Sequence, residues 1–522
     1  MGRSGEFMRL KKMALQLMLL MIVFCGRANV HFAPIFNEGA VLQCELPVNV
    51  WGTSDPGATV TVLFAGQKKN AVSDECGKWQ VILDPMPASA VPCKMVVHSS
   101  IGNQLSEINN VVVGEVWLAS GQSNIVVPLR NSDGGAARLE KTVPEIRFIK
   151  VPQQTGLPPA PLSAAQLSWK TFAPPENQQI AAVAFFFAEY LLTNIAKPVG
   201  IIQSSYGGTP CHAWMSLESI EKAPSVRYMA EELRKGLSAS RTDSEWKQQI
   251  TDYSTYWRTF VEWEKNPQGD RPVDPGAVSM DNPFWSQSPS VLYDNMIKPL
   301  IPYTARGVIW YQGETGASKP DEYRVLFPAL ITAWRDAWDR PDWPFLFVQL
   351  ATYDSKNGDF VGQRAVQALV RDTVPHTGMA LAIDCGEKAD IHPRAKQPVG
   401  ERLARLALKQ VYGMNMASRG PMYQTLEKDG SSVRVKFKYS EKTLKTSGGN
   451  PSVPGFELAG ADGVFHPALA EIISENEVRV ICNKVKAPLV LRYAWANWLD
   501  PPVTLQNSAG LPAEPFFVPL GL

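Results

Sequence analysis

The stretch Val111-Val112-Val113-Gly114-Glu115-Val116-Trp117-Leu118-Ala119-Ser120-Gly121-Gln122-Ser123-Asn124 sets the reading of the chain. Residues 111–119 form a nearly continuous apolar run, the pattern of a strand buried on both faces. Gly121 permits a sharp turn at its end, which would present the Ser123 Oγ and backbone N–H at the edge of a sheet. Further short apolar runs follow at 146–151, 199–202, 307–311, 345–350 and 379–383. Between them, 180–194 and 399–411 carry apolar residues at helical spacing. Short buried strands separated by helices predict an α/β region over 111–415, with a parallel sheet flanked by helices. A charged, Trp-rich stretch at about 217–285 interrupts this rhythm and reads as a helical insertion near the site.

The texture changes on either side. Residues 30–110 hold short alternating runs such as Val48-Asn49-Val50-Trp51 and Thr59-Val60-Thr61-Val62-Leu63, punctuated by turns such as Asp55-Pro56-Gly57. That spacing predicts an N-terminal β-sandwich. Residues 420–522 return to strand texture, for example Val433-Arg434-Val435-Lys436-Phe437, and predict a C-terminal β-rich module. A length of 522 residues fits two or three domains.

The N-terminus reads as a processing segment over residues 1–28. Met1–Phe7 resembles a tag remnant, followed by basic Arg9, Lys11 and Lys12 and an apolar stretch at 13–24. Twelve apolar residues are too few to span a bilayer comfortably, so the segment reads as a removable signal and the chain as secreted or periplasmic. Anchoring through Cys25 as a surface lipoprotein is the weaker reading. No later segment is apolar enough to span a membrane. A net charge of +1 gives no electrostatic footprint for nucleic acid or an anionic membrane. None of the seven cysteines forms a Cys-x-x-Cys pair. Cys44, Cys76 and Cys93 share one segment and permit one disulfide there. Oligomeric state is not legible.

In a doubly wound sheet, ligands gather outside the carboxyl ends of the strands. The residues just after the predicted strands are Ser120–Asn124, then Ser204-Ser205-Tyr206-Gly207-Gly208-Thr209, then Gln312-Gly313-Glu314, then Asp384-Cys385-Gly386 and Asp390-Ile391-His392-Pro393. Each alone is a weak signal; their joint placement after successive strands makes Ser123 a candidate nucleophile. A serine hydroxyl needs a base. Of the six histidines, His392 is best placed and His212 is its rival. The oxyanion of an acyl transfer needs preorganised donors, and the N–H groups of Ser123 and of Gly207 or Gly208, with the Gln312 amide, have the right chemistry. Metal-dependent deacetylation is disfavoured because no His/Asp cluster has ligand spacing, and no cofactor is implied. An α/β-hydrolase is disfavoured because Ser123 lacks a Gly-x-Ser-x-Gly context.

Four ordered blocks resemble the sialate O-acetylesterases and related bacterial carbohydrate esterases of the SGNH-hydrolase type. They are Gly114–Asn124, Ser204–Thr209 with Ala213-Trp214-Met215-Ser216, Trp310-Tyr311-Gln312-Gly313-Glu314, and Ile391-His392-Pro393 with Lys396 and Val399-Gly400. Phe36-Asn37, Val41-Leu42-Gln43 and Val50-Trp51-Gly52 extend the likeness forward, over roughly residues 32–415. The resemblance implies an SGNH/flavodoxin-like sheet and removal of acetyl groups from sugars without a metal. It implies Ser123 as nucleophile, His392 as general base, Gly207 or Gly208 and Gln312 as oxyanion donors, and Asn124, Glu314 and Trp214 as substrate-binding residues.

Several positions depart from the family pattern: Ile125, Gly316, Cys211-His212 and Tyr293-Asp294-Asn295. They bear on substrate preference more than on the reaction. The acid partner of His392 stays open. The family's usual Asp, three residues before the His, is Ala389 here. Asp390 is the first choice, with Asp384, Glu314 or a backbone carbonyl as alternatives. The expected partner is an acetylated carbohydrate: O-acetylated sialic acid first, acetylated xylan or another hemicellulose second. A non-catalytic carbohydrate-binding protein is the alternative of a different class.

Overall fold

The computed structural model describes residues 29–440, 443–450 and 452–520. The expected signal segment and Cys25 lie outside the described residues. The organising element is one long strand, β1 (Gln104–Gly121). Over 104–110 its residues alternate between half-buried and exposed, and from Val111 to Gly121 all are buried. The switch follows the sequence: alternating polar residues suit a sheet with one wet face, and the unbroken apolar run suits one covered on both. The first half of β1 pairs with Ser89–Ser99 in the N-terminal β-region, and the second half lies in the middle of a parallel sheet. The boundary expected between 110 and 111 falls inside this single strand.

The parallel sheet adds β2 (Val143–Lys150), β3 (Trp169–Phe172), β4 (Val199–Ser205), β5 (Gly307–Tyr311), β6 (Phe345–Gln349) and β7 (Thr377–Leu381) in the order β3-β2-β4-β1-β5-β6-β7. Only the edge strand β3 is antiparallel to its neighbour. After β1 the chain builds one side and then crosses to the other, so β1 stands at the reversal between β4 and β5. Alternate residues serve opposite faces, as the twofold period of a strand requires. Val308, Trp310, Phe345 and Phe347 pack with helix Pro320–Ala337. Ile309, Tyr311, Leu346 and Val348 pack with helices Ala182–Ile195 and Gln397–Gln410. Burial of Phe185, Phe186 and Phe187 stabilises that second layer by about 1.5–3 kcal/mol each.

The insertion is helical over Leu217–Glu221, Arg227–Leu237 and Asp243–Lys265 and irregular from 266 to 289. From Met422 to Pro519 the chain forms two four-stranded antiparallel sheets and a two-stranded pair. This module is latched to the rim of the parallel sheet. Asn497 Nδ2 donates to the carbonyls of Ser355 and Gly358, and Asn497 Oδ1 accepts from the Val361 amide. Cys44, Cys76 and Cys93 are free thiols, so the disulfide permitted in that segment is not formed. Among the described residues no helix is long and apolar enough to cross a membrane.

Candidate active site

Strand register assembles the site. Gly121 is level with Ser205 of β4 on one side and Tyr311 of β5 on the other. The three strands end in one layer, and Gln122-Ser123, Tyr206-Gly207-Gly208 and Gln312-Gly313-Glu314 emerge side by side. Gly121 has φ +132°, and a Cβ there would lie 2.2 Å from the Tyr311 carbonyl oxygen, so only glycine fits this crossing. Ser123 opens a short helix, Ser123–Val126. Its N–H lies in the first turn, where it has no intrahelical partner. The half-buried Ser123 hydroxyl makes no hydrogen bond to any described residue. A Cβ on Gly207 would sit 3.5 Å from Ser123 Cβ, whereas one on Gly208 would meet nothing within 4 Å. Gly207 is thus the glycine against the serine, and Gly208, at φ +70°, shapes the turn.

Gln312 is not available as an oxyanion donor. It is fully buried, and its Nε2 donates to Gln122 Oε1 at 3.1 Å and to the Thr209 carbonyl at 3.2 Å, which uses both hydrogens. It acts as a strut across the ends of β1, β4 and β5. Trp214 is likewise withdrawn from any substrate. It is fully buried, donates its indole N–H to Thr209 Oγ1 and meets Trp310 edge-on at 6.2 Å. Asn124 and Glu314 are likewise engaged with protein partners. Asn124 is 2 % exposed. Its Nδ2 donates to Glu314 Oε1 and, at 3.0 Å, to the Ile391 carbonyl, while its Oδ1 accepts from Lys396 Nζ. Every hydrogen-bonding atom of that amide is engaged. Burial pushes the Glu314 carboxyl above its ordinary range and pushes Lys396 down to about 8.

His392 arrives from the loop after β7, three strands from β1, a span of roughly 14 Å at about 4.8 Å per strand. The bond from Asn124 to the carbonyl of Ile391, its chain neighbour, ties that loop to the serine helix. A second tie runs from the Asp133 N–H to the Arg394 carbonyl at 3.0 Å. Desolvation lowers the His392 pKa, Asp390 opposes the shift and Lys396 adds to it, so the ring is neutral at neutral pH. Asp390 Oδ1 accepts the His392 backbone N–H at 2.8 Å but stands 3.6 Å from Nδ1, beyond a hydrogen bond. It is an electrostatic neighbour of the ring. Asp384 is committed to Arg402 through two 2.7 Å bonds and Glu314 to Asn124, so neither orients His392. His212 is not the base: it is 9 % exposed and directs Nε2 to the Gln287 carbonyl at 2.9 Å.

Among the described residues one group could bring three metal-type ligands together, Cys44, Glu45 and Glu115. Glu115 is already matched by Arg306 at 2.8 Å and Lys197 at 3.7 Å. It also lies six residues before Gly121 along β1, about 20 Å away. This cluster is an anchor between the β-region and the sheet. Sequence reasoning noted Lys396 only as part of a block and missed Gln122, whose Oε1 accepts from Gln312 and, at 3.3 Å, from the Thr315 amide. The available signal for Lys396 was its place four residues after His392, at the start of an apolar-periodic helix.

A family profile described as "Carbohydrate esterase, sialic acid-specific acetylesterase" matches residues 264–409. Sialate O-acetylesterase from Rattus norvegicus is 28% identical over 550 residues, covering 96% of this chain and 97% of that one. The Homo sapiens sialate O-acetylesterase is 28% identical over 555 residues, covering 97% and 96%. The crystal structure of a carbohydrate acetylesterase from Xanthomonas citri is 31% identical and superposes with a TM-score of 0.77, covering 94% of this chain and 99% of that one. The likenesses to these three proteins run nearly end to end and displace the reading of a non-catalytic binding protein. The chain belongs to the sialate O-acetylesterase family of carbohydrate esterases and is a carboxylic-ester hydrolase, a carbohydrate O-acetylesterase.

Proposed function

We propose that this esterase removes acetyl groups from O-acetylated sialic acid, outside the cytoplasm, by acyl transfer through Ser123 on an SGNH-type sheet. The sialate preference is supported by the names of the curated relatives, and the SGNH assignment by the parallel sheet with its blocks at successive carboxyl ends. The observation that carries the mechanism is the layer formed by Gly121, Ser205 and Tyr311, which sets an unpartnered Ser123 hydroxyl beside Gly207.

With Nδ1 turned toward Asp390, Nε2 of His392 is the atom left to take the Ser123 proton. Ser123 Oγ attacks the acetyl carbonyl carbon, and the oxyanion is held by the N–H groups of Ser123 and Gly207. The ester C–O bond breaks, His392 returns the proton to the leaving sugar oxygen, and Ser123 is left acetylated. Water then attacks the acyl-enzyme, giving its proton to His392. Acetate leaves, and Ser123 recovers its hydrogen from the ring. A preorganised backbone donor in such a site contributes about 100- to 1,000-fold in rate.

Ser123→Ala should abolish acetate release from p-nitrophenyl acetate with the circular dichroism spectrum retained. Full activity in that variant would remove Ser123 from the mechanism. The Xanthomonas relative is described for carbohydrates in general, which keeps acetylated hemicellulose as a second substrate reading. Acetate release from O-acetylated sialic acid and from acetylated xylo-oligosaccharides, measured side by side, separates the two.

A further inference from the structure

Ser123 is flanked by two buried amides, Gln122 and Asn124, each 2 % exposed. Asn124 is tied to Glu314 and to the His392 loop. Gln122 stands in extended backbone at the start of the serine helix, where a side-chain oxygen ordinarily caps the first-turn N–H groups. Its side chain makes no such cap. The Oε1 instead collects donors from the turn after β5: Gln312 Nε2 at 3.1 Å, the Thr315 N–H at 3.3 Å and, at the limit of reach, the Gly313 N–H at 3.5 Å. The backbone adds a further tie, from the Gln122 N–H to the Tyr311 carbonyl at 3.0 Å.

Each of these donors depends on the acceptor. Gln312 is fully buried, and without Gln122 one of its two amide hydrogens loses its partner. Thr315 opens the short helix Thr315–Ser318, so its N–H has no intrahelical acceptor, and Glu314 before it supplies no side-chain cap. On its far side the turn is pressed against helix Phe360–Thr373: a Cβ on Gly313, at φ +148°, would lie 3.1 Å from Gln367 Nε2 and 3.2 Å from Gln363 Nε2. Gln122 closes the turn from the serine side. Between the residues it grips lies Glu314, the partner of Asn124. The two amides on either side of Ser123 thus hold one turn, and Asn124 carries the connection on to Ile391, next to His392. The Ser123 hydroxyl, with no hydrogen bond to any described residue, takes its direction from these neighbours.

We propose that Gln122 is a positioning residue for the acyl transfer. Its Oε1 locks the Gln312–Thr315 turn to the serine turn, so that Ser123 is held from both sides in line with the His392 loop. The acceptor oxygen is the working atom, and it acts through the neighbours of Ser123 rather than on the ester. The inference rests on Ser123 as the nucleophile. A reacting group misplaced by about 1 Å costs on the order of 100-fold in rate, which sets the scale of the loss when the acceptor is removed.

The test uses Gln122→Met, which deletes the acceptor, Gln122→Asn, which withdraws it by one methylene, and Gln122→Glu, which keeps an oxygen at the same reach. Two rates report serine alignment without a sugar: kcat/KM on p-nitrophenyl acetate and labelling by a fluorophosphonate. In Gln122→Met and Gln122→Asn with wild-type circular dichroism both should fall together by roughly tenfold or more, and in Gln122→Glu both should return to within about threefold of wild type. A merely structural role would lower the urea midpoint and leave both rates of the folded enzyme unchanged. Wild-type rates in either folded deletion, or a Gln122→Glu no faster than Gln122→Met, would overturn the assignment. Failure of the Ser123 reading would show separately, as p-nitrophenyl acetate hydrolysis surviving in Ser123→Ala.

Discussion

At the scale of single residues, the imidazole of His392 decides the pH response. Its depressed pKa means that the base stays unprotonated to lower pH than an ordinary histidine, near 6.5. The acid limb of kcat/KM should therefore fall below about pH 6.5. Asp390 is the group raising that pKa, so Asp390→Asn should move the limb to still lower pH. The same variant should lose only about fivefold in kcat. A 3.6 Å separation between groups that are 42% and 56% exposed gives about 1 kcal/mol in water. A loss as deep as that of His392→Ala, in a kcat/KM–pH profile, would make Asp390 the hydrogen-bonded orienting acid after all.

At the scale of elements, the serine helix, the His392 loop and the segment after β5 are held together by Asn124, Glu314 and Lys396 rather than by the catalytic groups. Lys396 donates to the buried Asn124 Oδ1 and acts electrostatically on the Glu314 carboxyl, one oxygen of which is buried and unpartnered. Lys396→Met should therefore destabilise by about 1–3 kcal/mol, the cost of leaving the buried Asn124 oxygen unpaired, and lower kcat/KM by at least tenfold. The pH dependence has a definite sign. Glu314 is held above its ordinary 4.5, so the folded state keeps its proton more tightly than the unfolded chain. Stability from that source is present at acid pH and lost as pH rises through the folded pKa. Removing Lys396 raises that pKa further. The urea midpoint of Lys396→Met should thus lie nearest wild type at about pH 4.5 and fall away toward pH 7.

At the scale of the whole molecule, β1 makes the N-terminal β-region and the parallel sheet one structure. Its midpoint is pinned by Glu115, which is fully buried and paired with Arg306 through Oε2 at 2.8 Å and Oε1 at 3.1 Å. Arg306→Met leaves that carboxylate with Lys197 at 3.7 Å and the Gln43 amide among its remaining partners and should cost about 3 kcal/mol. Because both regions share the strand, tryptophan fluorescence and far-ultraviolet circular dichroism should lose them in one coincident urea transition. Two separated transitions would show that the β-region folds independently of the sheet.

What the chain dictates locally was legible in its residues. The apolar run before Gly121, the strand and helix rhythm through residue 410 and the β texture at both ends are each set by side chains a few positions apart. Such patterns report burial directly through periods of 2 and 3.6. The candidacy of Ser123, His392 and the Gly207-Gly208 turn came from the same source, since strand ends are visible as changes of pattern. Tertiary structure alone decided which polar atoms were already spent. Gln312, Trp214, Asn124 and Glu314 have suitable chemistry in sequence, yet their hydrogen-bond partners lie up to 272 residues away, and those partners occupy the atoms a substrate would need. The same holds for His212, a rival base by position but a buried ring whose Nε2–H is donated to the Gln287 carbonyl. A hydrogen bond forms between atoms about 3 Å apart whatever their separation in the chain, so availability, unlike identity, had to wait for the fold.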